Sequence, residues 1–196
     1  MSAVLSPFHR STRSRRTDRL AERRRLKRQD ALSARLAELH AIRALLGVAV
    51  EIVEKGWVQG AWFTVDTPQG RQAVTAYDLG LVEERPVAGA CLVGAVVGAA
   101  GGPATVRTQL VQRTLDLAWH ALREGPDGPV HWCPGPRARM MQVLELTYWN
   151  DAPGRTQGEV ASLLRAARRC ADAQRDLCLV EQRALAGATC PEGQEP

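Results

Sequence analysis

The chain has 196 residues, 45% hydrophobic and 24% charged, with a formal net charge of +5. That length supports a core of its own. The wealth of Ala, Val and Leu, with two Tyr and two Phe but five Trp, excludes a disordered or fibrous chain and carries a helical bias.

The charge is unevenly placed. From Arg10 to Arg28 ten Arg or Lys stand against two acids, Asp18 and Glu22, so a basic arm precedes a mildly acidic body. Residues 1–17, rich in Ser, Arg and Thr, are expected to be disordered. The pairs Arg15-Arg16 and Arg23-Arg24 are followed by no apolar stretch of the kind a secretory leader needs. Arg13, Arg15, Arg16, Arg23, Arg24, Arg25, Lys27 and Arg28 are candidates for salt-sensitive contact with the phosphates of a nucleic acid or with an acidic protein. No aromatics interleave them, so base stacking is not expected.

Leu32, Leu36, Leu39, Ile42, Leu46, Val50 and Val53 then recur every three or four residues, predicting a helix over about 18–55 that Gly56 ends. The period changes after Trp57. Trp62–Val65 and Gln72–Tyr77 flank the turn Asp66-Thr67-Pro68-Gln69-Gly70, which predicts a short hairpin packed on helices. Residues 86–106 carry no charge and include Gly94 and Gly98 in a G-x-x-x-G pattern. Gly101-Gly102-Pro103 limits the helical part to 87–100, about 21 Å against roughly 30 Å of hydrocarbon, so a buried helix with close backbone approach is expected rather than a membrane span. An amphipathic helix to about Arg123 follows, with Val106, Leu110, Leu117, Ala121 and Leu122 inward. Residues 124–137 form a Pro/Gly-rich loop, Met140–Trp149 a short helix, and Thr156 to about Ala186 the last long helix. The fold expected is mainly α, a compact bundle of four to five helices with one short hairpin. It divides into a basic arm (1–28), a helical domain (29–186) and a loose tail (187–196).

The most ordered stretch is Trp149-Asn150-Asp151-Ala152-Pro153-Gly154-Arg155-Thr156. Pro153 presets φ and Gly154 tolerates positive φ in a turn. Thr156 and Glu159 have the spacing of a capping box, and Asn150 and Asp151 can bond the backbone of the preceding helix end. A capped turn therefore accounts for every residue. The functional alternative is a small-molecule-binding or catalytic domain with a pocket beside the helix start, walled by Trp57, Gln59, Trp149, Asn150, Asp151 and Arg155. Trp57 and Trp62 are read first as an aromatic plug between hairpin and helices.

Together with Glu51–Trp62 ("EIVEKGWVQGAW") and Ala90–Ala100 ("ACLVGAVVGAA"), this stretch resembles the signature of a small domain family of unknown function from actinobacteria and their phages. The three blocks cover about residues 40–170. The basic arm and the loop at 125–137 depart from the family's pattern. The resemblance implies a compact, mostly helical domain and no particular reaction.

Other chemistry finds little support. Cys91, Cys133, Cys170, Cys178 and Cys190 share no CxxC spacing, and His131 with Cys133 has no matching pair, which argues against zinc and for reduced thiols in a cytoplasmic protein. Cys91 sits in apolar surroundings that would raise its pKa, the reverse of activation. No glycine-rich loop leads into Lys-Ser or Lys-Thr. No metal or cofactor is expected, and a non-enzymatic interaction or regulatory module is the favoured reading.

Overall fold

The computed structural model describes residues 11–187 apart from 77, 79, 84 and 127, without the side chains of 11–16, 18, 81 and 83. Helix α1 runs over Ser11–Lys55. It begins earlier than the hydrophobic stripe predicted, because no Pro or Gly lies between Pro7 and Gly47 and the basic segment consists largely of Arg and Leu, strong helix formers. Residues 1–10, the rest of the expected disordered arm, lie outside the described residues. Leu39, Ile42, Leu46, Val50 and Val53 are buried as the stripe requires, joined by Leu45 and Ala49. The helix stops where Gly56 donates to the Ile52 carbonyl. Any side chain at Gly56 would collide with the Ala88 carbonyl oxygen.

Strands β1 (Phe63–Thr67) and β2 (Gly70–Val74) form the expected hairpin. Its two-residue loop is closed by Thr67, whose hydroxyl accepts from the Gln69 amide and donates to the Gly70 carbonyl. A third strand, β3 (Val87–Ala90), pairs antiparallel on the other side of β1, giving the order β2-β1-β3 with an irregularity between Thr64 and Val65. The expected helix over 87–100 is corrected here. Its first four residues satisfy the open edge of β1, and the helical part, α3, spans only Leu92–Ala99. Cys91 divides the two: its backbone is extended, its amide donates to the Trp62 carbonyl, and its sulfur accepts from the Gly94 amide as an N-cap. A fully apolar run carries no period to mark such a boundary. The close approach expected of Gly94 is present, since a side chain there would strike the Trp62 carbonyl.

A single turn, α2 (Gly80–Glu83), precedes β3. A 3-10 turn at Pro103–Thr105 delays α4 to Gln109–Arg123, where the Thr108 hydroxyl accepts from the Val111 amide. Of the residues expected to face inward, Leu117 and Ala121 are buried and Val106, Leu110 and Leu122 half-buried. Helix α5 spans Pro136–Asn150, starting earlier than expected because Pro136 occupies its first turn, where a missing N–H costs nothing. Helix α6 is Gln157–Gly187.

The chain divides into two compact units, Glu38–Asp176 and Met1–Ala37 with Leu177–Pro196, the latter described over 11–37 and 177–187. The larger unit is centred on α3, of which Leu92 to Val97 are all buried, together with Phe63, Val65, Val74, Leu117, Leu146 and Leu164. In the smaller unit Leu32 and Cys178 are buried, and Arg28 Nε donates to Glu181 Oε1 at 2.7 Å. Among the described residues, no helix is long and apolar enough to cross a membrane.

Candidate functional site

The turn between α5 and α6 has the local geometry its residues dictate. Gly154 has φ +78° and the Arg155 amide donates to the Ala152 carbonyl at 3.1 Å. The capping box closes reciprocally: Glu159 Oε2 accepts from the Thr156 amide at 2.8 Å, and the Thr156 hydroxyl accepts from the Glu159 amide at 3.3 Å. The Thr156 hydroxyl, then its amide, hold the Glu159 carboxyl below the usual carboxylate range. Gln157, unremarked in the sequence, donates to the Val53 and Glu54 carbonyls and so caps the last turn of α1.

All six candidate pocket residues meet here. Asn150 is fully buried at the end of α5. Its Oδ1 accepts from Trp57 Nε1 at 2.9 Å and from the Leu92 amide, the first of α3, at 3.1 Å. Its Nδ2 donates to the Val58 carbonyl at 3.1 Å and to Asp151 Oδ1 at 2.7 Å. The same Asp151 oxygen accepts from the Gly60 amide at 3.0 Å. Gln59 Nε2 donates to the carbonyls of Asn150 and Ala152, each at 3.1 Å. Arg155 stacks on the Trp149 ring, 3.9 Å from its centroid, while Nε donates to the Trp149 carbonyl and Nη1 to Glu159. The sequence anticipated local bonds for Asn150 and Asp151. The bonds found instead reach across the domain and join the end of α5 to the segment after α1 and to the start of α3.

This arrangement is well suited to holding three elements in register. The cation that a ligand anion would need, Arg155, has its Nε and Nη1 engaged within the domain and its face against Trp149. A hollow of about 250 Å³ beside Trp149 is walled by Leu122, Arg123, Glu145 and Tyr148, without Asn150, Asp151 or Arg155 among its lining. Burial pushes the Cys91 thiol up to about 11, so it is neutral at physiological pH. Among the described residues, no cluster of three or more His, Cys, Asp or Glu could hold a metal ion.

A second polar anchor was not legible in the sequence. Asp116 on α4, its side chain almost fully buried, takes Arg139 of α5 through two bonds of 3.0 and 3.1 Å, and Arg139 Nη1 also donates to Gln112. Nothing in the helical pattern distinguishes this Asp from a surface acid.

The basic candidates fall on α1. Arg23, Arg24, Lys27 and Arg28 are exposed and Arg25 half-buried, whereas the side chains of Arg13, Arg15 and Arg16 lie outside what is described. Arg25 pairs with Glu22 at 3.3 Å and Arg28 with Glu181. Among the described residues no acid pairs with Arg19, Arg23, Arg24 or Lys27.

A family model described as a family of unknown function, DUF6197, matches residues 37–169. No curated protein and no solved structure matches the chain.

Proposed function

The chain belongs to DUF6197, a family of unknown function, and we propose that it is a non-enzymatic cytoplasmic interaction module that grips nucleic acid electrostatically through the basic segment of α1. We take Trp149–Thr156 as the signature of that family in actinobacteria and their phages. The observation that carries the proposal is the placement of Arg19, Arg23 and Lys27. They are four residues apart on one side of a helix, hence about 6 Å from one to the next. All three are exposed, and Arg24 flanks them. Such a stripe follows a phosphate backbone without reading bases, which fits a segment free of aromatics. The segment lies outside residues 37–169, so it is an addition to the family domain. The free thiols of Cys91, Cys133 and Cys178 agree with a reducing compartment.

The test is fluorescence anisotropy of labelled duplex DNA across a salt series, comparing the chain with a variant carrying Arg19→Gln, Arg23→Gln, Arg24→Gln and Lys27→Gln. Binding should weaken, and the slope of log K against log salt should become shallower by about 3–4, since each lost phosphate contact removes about 0.9. Equal affinity and slope for the two proteins would refute the proposal. Equally tight, equally salt-sensitive binding of polyglutamate would instead assign the segment to an acidic protein partner.

A further inference from the structure

A cleft of about 600 Å³ opens in the larger unit, far in sequence from the Trp149–Thr156 turn. Its lining comes from the end of α1 (Ile52, Lys55), from Phe63 of β1, from Val82 and β3, and from α3 and the glycine turn behind it (Gly98, Gly101 and Gly102). A volume of that size is in the range of small-molecule sites, which lie between about 300 and 1,000 Å³.

Three features make it a site rather than a packing fault. Its lining side chains are apolar but for Lys55: Ile52 and Val82 are half-buried, Val87 is exposed and Phe63 buried, and a Cβ at Gly98 would sit 3.5 Å from both Ile52 Cδ1 and Phe63 Cε1. Gly98 therefore leaves room for a methyl group and no more against those two side chains, and it borders the cleft. The rear wall is bare backbone. Gly101 and Gly102 have φ of +108° and +99°, a conformation that side chains rarely adopt, and open space lies beside Gly102. Finally, the lining carries a single ionisable side chain among the described residues, Lys55, for which no acid partner is found there. Apolar side chains beside one lysine suit a ligand with an apolar body and a single anionic group.

We infer that this cleft binds a small amphipathic carboxylate, its acyl or aryl body lying on Ile52, Val82 and Val87 and its anionic head paired with Lys55.

The full chain can be titrated with 8-anilinonaphthalene-1-sulfonate, an aryl anion that fluoresces when desolvated, and with N-phenyl-1-naphthylamine, which has the same rings without the charge. Lys55→Met keeps the apolar stem and removes the cation. It should weaken the anionic probe about fivefold, the effect of a partly exposed ion pair, and leave the neutral one unchanged. Gly98→Leu, which crowds the border of the cleft, should abolish the binding of both, with near-UV circular dichroism verifying the fold. On the unaltered chain decanoate should displace the anionic probe at lower concentration than decanamide, a comparison no folding defect can confound. Equal displacement by the two, no displacement, or equal losses of both probes in Lys55→Met would overturn the inference.

Discussion

Asn150 uses both ends of its amide at once, and that makes it the residue on which the α5–α6 junction depends. Replacing it with Ala strands two donors, Trp57 Nε1 and the Leu92 amide, and one acceptor, the Val58 carbonyl. An unsatisfied buried group costs about 1–3 kcal/mol, so Asn150→Ala should lower stability by about 3–4 kcal/mol in urea unfolding. A loss under 1 kcal/mol would mean that water replaces the amide and that the lock is incidental. Asp151→Asn keeps an acceptor for the Gly60 amide and should cost far less. The sequence pointed to Asn150 and Asp151, but only for bonds to nearby backbone. Their real partners lie 58 to 93 positions away, beyond the reach of any local pattern. Cys91 gives a second residue-level test. Burial raises its thiol from 9.0 to about 11 in the folded chain. The unfolded chain therefore loses its proton first, so this contribution is whole below pH 9 and disappears as pH rises from 9 through 11. Between pH 8 and pH 10.5 the protein should lose about 2 kcal/mol more than Cys91→Ser does. Parallel curves for the two would place Cys91 in contact with water.

Among the elements, α4 and α5 are fastened by a buried ion pair as well as by apolar packing. Asp116 and Arg139 have 1% and 20% of their side chains exposed, and the pair is bidentate. Removing one partner of such a pair leaves the other uncompensated, at about 3–5 kcal/mol when fully buried, so Asp116→Ala should cost about 3 kcal/mol. Adding Arg139→Met should restore part of that loss, because an apolar side chain tolerates the site that a lone guanidinium does not. If the double variant is no better than the single one, the pair acts through shape rather than charge. The same scale shows which elements were legible. The amphipathic helices α1, α4 and α6 and the hairpin declare themselves by period and turn residues. Strand β3 does not, because Val87–Ala90 and Leu92–Ala99 are equally apolar and only pairing with β1 separates them. Helix α5 was found but begun four residues late, because Pro136 reads as the end of the Pro/Gly-rich loop although it occupies the first turn of the helix.

For the whole molecule, the difference between the two units lies in how much side chain each buries. Nearly all the buried hydrophobic residues belong to Glu38–Asp176, whereas Leu32 and Cys178 are the buried apolar side chains described in the smaller unit. Local opening of a segment with so little burial is inexpensive, and a protease needs such opening to cut a helix. The basic segment is also dense in trypsin targets, with Arg19, Arg23, Arg24, Arg25, Lys27 and Arg28. Limited trypsin digestion should therefore cut first within residues 19–28 and leave a larger fragment with unchanged near-UV circular dichroism. Duplex DNA at low salt should slow those first cuts several-fold if the stripe of Arg19, Arg23 and Lys27 is occupied, and 1 M salt should cancel the protection, because phosphate contacts of this kind are screened. Protection that persists in high salt would require apolar or base-specific contacts, which the exposed cations of α1 do not supply. First cleavage inside the family domain would show that Glu38–Asp176 opens more readily than its burial allows.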